Sequence, residues 1–174
     1  MMMFVLAAMA LTLGANDSTP SATLAWLAAK TASPEMSRIE QQIADDTNIS
    51  LERSNGSINK RRWKNAVEIA DCIADVVVEV GTWERGTTST LSQSAKFNLS
   101  QIRWIDRSHG ASFKQETIYL VLSSEPGGPK PVRNVDSTTG VRQVDNLSLS
   151  YLSAAAADRA AANVKRLQQM CAAR

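Results

Sequence analysis

KRRWKNAVEIADCIADVVVEV, residues 60 to 80, changes its hydrophobic period partway along, and the point of change decides where helix ends and sheet begins. Trp63, Val67 and Ala70 recur at helical spacing, which predicts a helix over 60–70. From Cys72 the period is two. Cys72, Ala74, Val76, Val78 and Val80 share one face, with Asp75 and Glu79 on the other. The β-branched valines suit a pleated strand. On this reading the chain turns from helix to sheet at residue 72.

Working downstream, Leu91, Ala95, Phe97 and Leu99 alternate with polar residues, IRWID and ETIYLVLS read as strands, and EPGGPKP reads as a loop. Leu147, Leu149 and Tyr151 share a further strand face. The chain then offers Ser153 as an N-cap for an amphipathic helix, with Ala157, Ala160, Val164, Leu167 and Cys171 on one side. Upstream, Ser33 is an N-cap with Pro34 at the first helical position, and Met36, Ile39 and Ile43 make one stripe. SATLAWLAAK (21–30) reads as a short helix, and Asn55-Gly56 as a turn. The expected fold class is α+β: N-terminal helices followed by an antiparallel β-sheet or β-barrel-like sandwich, closed by a C-terminal amphipathic helix. Strands bunched between helical ends favour α+β over βαβ repetition. The order of elements over residues 72–173 resembles the pleckstrin-homology-like architecture, a superfold that hosts lipid, peptide and protein binding and so implies no single activity.

MMMFVLAAMALTLGA opens the chain with an apolar run of signal-peptide length, shorter than a membrane span, and NDSTPSAT follows it abruptly. The expectation is a signal peptide over 1–15 cleaved near Gly14 or Ala15. A leader and helices would occupy 16–71, and a β-rich domain with its helix 72–174, forming one globular unit with 24–71. The alternative is an apolar helix that stays in the domain. Export implies a periplasmic or secreted product that does not span a membrane after cleavage. In that compartment Cys72 and Cys171, both in phase with inward faces, are expected to form a disulfide; the alternative is two buried thiols.

The 174 residues are 44% apolar and 5% aromatic, with a net charge of +2. So weak a charge and so few aromatics argue against a nucleic-acid partner. The only histidine, His109, stands in DRSHGAS beside Asp106 and Ser108. Neighbours in one polar turn rarely assemble a catalytic triad, which needs residues meeting in space. One histidine and two distant cysteines give no zinc spacing, and no phosphate-cradling glycine loop is present; no cofactor is expected. Lys60, Arg61, Arg62 and Lys64 gather around Trp63 as a candidate contact for an acidic partner, weighed against an ordinary solvated helix start. Asn16, Asn48, Asn55, Asn98 and Asn146 stand in Asn-x-Ser sequons, of which Asn98 and Asn146 fall on outward strand faces.

These observations lead to an exported, non-enzymatic binding or interaction protein whose partner is an unknown protein or small ligand. An immunity or inhibitor protein fits that class. The alternatives are an enzyme with a site gathering His109 with Asp106 or Glu116, and a structural envelope component.

Overall fold

Residues 60–70 are a strand, and this corrects the expected fold class at its centre. The computed structural model describes residues 33–174 apart from Ala111, Ser112 and Glu125; the expected signal peptide, the leader and the helix at 21–30 lie outside the described residues. Helix α1 (Pro34–Thr47) is followed by β1 (Ser50–Gly56), β2 (Asn59–Ala70), β3 (Ile73–Glu84), β4 (Thr87–Asn98), β5 (Ile102–Gly110), β6 (Gln115–Leu122), β7 (Val132–Asp136), β8 (Gly140–Val144) and β9 (Asn146–Tyr151), and then α2 (Ala154–Ala172). Among the described residues one helix precedes the sheets and one follows them. The expected run of N-terminal helices up to residue 71 is therefore replaced by α1 and the first two strands.

The physical reason is visible in β2. Trp63, Asn65 and Val67 are buried in alternation with exposed Arg62, Lys64, Ala66 and Glu68. A separation of four satisfies both a period of 3.6 and a period of two, so Trp63 and Val67 alone do not discriminate. Asn65, polar yet inward, conceals the alternation. β2 continues into β3 through Asp71 and Cys72, with φ of 49° and 68°. Two successive left-handed residues make the tight turn whose twist matches the flanking strands, and Ala70 pairs directly with Ile73.

Two antiparallel sheets result: a six-stranded one in the order β1-β2-β3-β4-β7-β8 and a three-stranded one in the order β5-β6-β9. Their junction positions everything else. Asn65, Val78, Gln93 and Asn134 lie in register across β2, β3, β4 and β7, and all four are buried. β9 runs across this row. Gln93 Oε1 accepts from the Ser148 N–H at 3.0 Å, and Asn65 Nδ2 donates to the Ser150 carbonyl at 2.7 Å. The free edge of the small sheet is thus satisfied by side-chain amides of the large one, as a buried edge requires.

On one side of β9 lies the core. Val67, Val76, Ala95 and Phe97 of the large sheet and Ile118, Leu120, Leu147 and Leu149 of the small one are buried there with α1 and α2. α1 contributes Met36, Ile39 and Ile43, and Ser33 caps it by accepting from the Met36 N–H. α2 buries Ala157, Ala160, Val164, Leu167 and Cys171, the five expected inward residues. Three alanine or valine positions on that face let the helix sit close to its neighbours. Cys72 and Cys171 form the expected disulfide, with Cα atoms 5.8 Å apart. The turn carrying Cys72 is held three ways: its N–H donates to buried Glu40 Oε1, its carbonyl accepts from the Leu99 N–H, and its sulfur joins α2.

Candidate ligand-binding cleft

On the other side of β9 the same face of the large sheet is uncovered. A cleft of about 320 Å³ opens there between the two sheets. Its floor is Trp63, Val78, Val80 and Leu91. Its walls carry hydroxyls: Thr82 and Ser89 from the large sheet, Thr117, Tyr119, Ser148 and Ser150 from the small one. Strand alternation accounts for this lining. Thr117 and Tyr119 are the residues of β6 that face away from the helices, since Ile118 and Leu120 face toward them.

Register places the charged groups. Arg61, Thr82 and Ser89 form one row across β2, β3 and β4; Trp63, Val80, Leu91 and Asp136 form the next. Arg61 and Asp136 both line the cleft, three strand intervals apart, or about 14 Å at ~4.8 Å per strand. The Arg61 guanidinium lies 4.7 Å from the Phe113 ring centroid and 5.6 Å from that of Trp63, and these two rings meet edge to face at 6.0 Å. Its Nε donates to Thr82 Oγ1 at 3.2 Å. Asp136 Oδ1 accepts from the N–H groups of Thr138 and Thr139 and organises the β7–β8 turn. Its carboxyl is held below the usual range, first by the Thr138 hydroxyl and then by those N–H groups.

The cationic stretch 60–64 does not form one patch. Arg61 points into the cleft with Trp63, whereas Arg62 pairs with Glu52 at 2.8 Å and Lys64 with Glu79 at 3.9 Å on the exposed face, which also carries Lys60. Exposed pairs of this kind contribute little to stability.

His109 lies in β5, not in a polar turn. It stands opposite Glu116, and its Nδ1 is 2.7 Å from Glu116 Oε1. Arg107 donates to Glu116 Oε2 at 3.1 Å and to Asp158 Oδ1 at 2.6 Å. Both Glu116 oxygens are therefore engaged, and the Glu116 carboxyl is held low, by His109 first and Arg107 second. The chain His109–Glu116–Arg107–Asp158 fastens the second turn of α2 to the small sheet. Ser108 and Asp106 project from the opposite face of β5, so the three DRSHGAS residues are not brought together. Asp106 instead borders a shallow depression with Trp104, Tyr119 and Asn146. Trp104 is 65% exposed there.

Of the sequons, Asn48 has its amide engaged at both ends by the Val67 backbone. Asn98 caps the turn at Leu99–Gln101, and Asn55 and Asn146 are exposed. Among the described residues no group of three or more His, Cys, Asp or Glu could hold a metal, and no helix is long and apolar enough to cross a membrane.

Sequence reasoning missed most of the cleft. The VRNVD and GVRQV segments flanking DSTTG were an available hairpin signal for β7 and β8, whereas the meeting of Trp63 with Ser150 and Thr117 has no local signature. Compared with known protein families, curated proteins and solved structures, the chain matches none.

Proposed function

We propose that this chain is an exported, non-enzymatic binding protein that holds a small polar ligand in the cleft between its two sheets. The observation carrying this reading is the contrast along one sheet face. The half beneath the helices is apolar, while the half beyond β9 carries an arginine, an aspartate and the hydroxyls of Thr82 and Ser89 around an apolar floor, with four more hydroxyls facing it from the small sheet. Apolar floors with a few convergent polar groups are the usual make-up of ligand sites. The His109–Glu116 pair does not line this cleft and is spent on an ion-pair chain, which favours binding over acid–base catalysis. The disulfide is compatible with an oxidising compartment, in keeping with export from a signal peptide over 1–15 to the periplasm or medium.

A screen of soluble small-molecule fragments against isotope-labelled, disulfide-intact protein tests the cleft. Shifts concentrated at Val78, Val80, Leu91 and Thr117 are expected. Hits that leave these four unmoved would sink the cleft as the site. Export is tested separately by the intact mass of protein recovered from the envelope or medium. Loss of residues to about Gly14 or Ala15 is expected, and an uncleaved chain with two alkylatable thiols would refute it.

A further inference from the structure

We infer that the ligand is a small polyhydroxylated carboxylate, of sugar-acid size, bound with its carboxylate on Arg61. This rests on the cleft being the binding site. Among the described residues Arg61 makes no ion pair; its one hydrogen bond, from Nε to Thr82, fixes the root of the guanidinium and leaves the terminal nitrogens unspent. The rings of Phe113 and Trp63 hold the plane in place. A guanidinium fixed in this way has already lost the rotamer freedom that a carboxylate would otherwise have to restrict, and its fork matches two carboxylate oxygens.

The remaining lining selects for hydroxyls. Thr117, Tyr119, Ser148 and Ser150 each donate and accept, and they stand over the apolar floor that the carbon face of a sugar would cover. Gln115 stands beside Thr117 in the same wall. Its Oε1 is buried with no partner, in the wall of the same cleft. Gly110 permits this placement, because a Cβ there would come within 2.3 Å of the Gln115 side chain. At the far end Asp136, itself an anion, disfavours a second negative charge. One anionic group at the Arg61 end and a neutral remainder therefore fit the two ends. The volume of about 320 Å³ equals roughly ten waters at liquid density, enough for a single hexose unit.

The test uses a matched pair, D-glucuronate and D-glucose, which share a ring and differ in carboxylate against hydroxymethyl. Titrated into the disulfide-intact protein by calorimetry and NMR, glucuronate is expected to bind at least tenfold more tightly than glucose, with shifts at Trp63 and Thr117. Arg61→Met is expected to remove that preference, and Arg62→Met, on the opposite face, to keep it. The wild-type comparison stands even where Arg61→Met fails to fold. Equal binding of the two sugars in the cleft would overturn the carboxylate assignment and leave the cleft reading intact. Binding of neither would overturn the sugar-acid assignment, while the fragment screen decides the cleft on its own.

Discussion

The two halves of the inner face of the large sheet, separated by β9, obey one strand alternation yet differ in character: the lower is wholly apolar, and the upper adds charged and hydroxyl groups to an apolar floor. Below the row Asn65–Val78–Gln93–Asn134 the inward residues are Val67, Val76, Ala95 and Phe97, dry under two helices. Above it the next row runs Trp63, Val80 and Leu91 to Asp136, and the row beyond is polar, with Arg61, Thr82 and Ser89. Alternation decides which side chains point inward, and the covering element decides what those side chains can be. Both helices join the core cluster with the lower half, and Arg61, Thr82, Ser89 and Asp136 lie outside that cluster. The lower half is where stability resides, and the upper half is where specificity can reside.

The comparison is broken most directly by removing the staple beneath it. Cys72 and Cys171 close a loop with a sequence separation of 99. The chain-entropy account assigns about 4–5 kcal/mol to a loop of that length. Cys72→Ala with Cys171→Ala is expected to lose most of that in urea denaturation; an unchanged midpoint would mean that the Glu40 and Leu99 bonds hold the turn by themselves. Next in size, Leu167→Ala in the covered half is expected to cost about 3 kcal/mol by cavity formation. Thr82→Val in the uncovered half should stay within ~0.5 kcal/mol, as surface changes usually do. Similar losses at both sites would erase the division into a stabilising half and a binding half. On the boundary itself, Asn65→Ala leaves the Ser150 and Thr47 carbonyls without their donor. It is expected to cost about 1–3 kcal/mol and to raise hydrogen exchange in β9 before the rest of the small sheet.

This boundary also marks how far the sequence could be read. The covered half was legible because its chemistry is periodic and apolar. The inward series of α2 from Ala157 to Cys171, the Ser33 cap and stripe of α1, the valines of β3 and the pairing of the two cysteines all follow from spacing. The row and the cleft were not legible. Asn65 and Gln93 are polar residues at inward positions, so each breaks the pattern that would announce its strand, and β2 reads as a helix as a result. Arg61 looked like one member of a cationic cluster, because only a strand separates it from Lys60 and Arg62. The chain from His109 was half visible, since its partner Glu116 is close in sequence, while Asp158, the partner of Arg107, arrives from another element.

The smallest expected effect concerns the chain that joins the two structural layers at their edge. Glu116 is held low by hydrogen bonds from His109 and Arg107. Its ionised form therefore favours the folded state. The contribution is fully present above the ordinary carboxylate value near 4.5 and is lost as pH falls through the lower folded value. Glu116→Gln keeps the shape and removes the titration. Its melting temperature should fall less steeply than that of the native protein between pH 5 and pH 3, with the two curves separating only above the acid limb. The Arg107–Asp158 pair cannot mimic this result, because it survives in the variant. Parallel curves across the acid range would mean that Glu116 is tied to its partners no more strongly in the fold than in the unfolded chain. The link between the small sheet and the second turn of α2 would then rest on Arg107 and Asp158 alone.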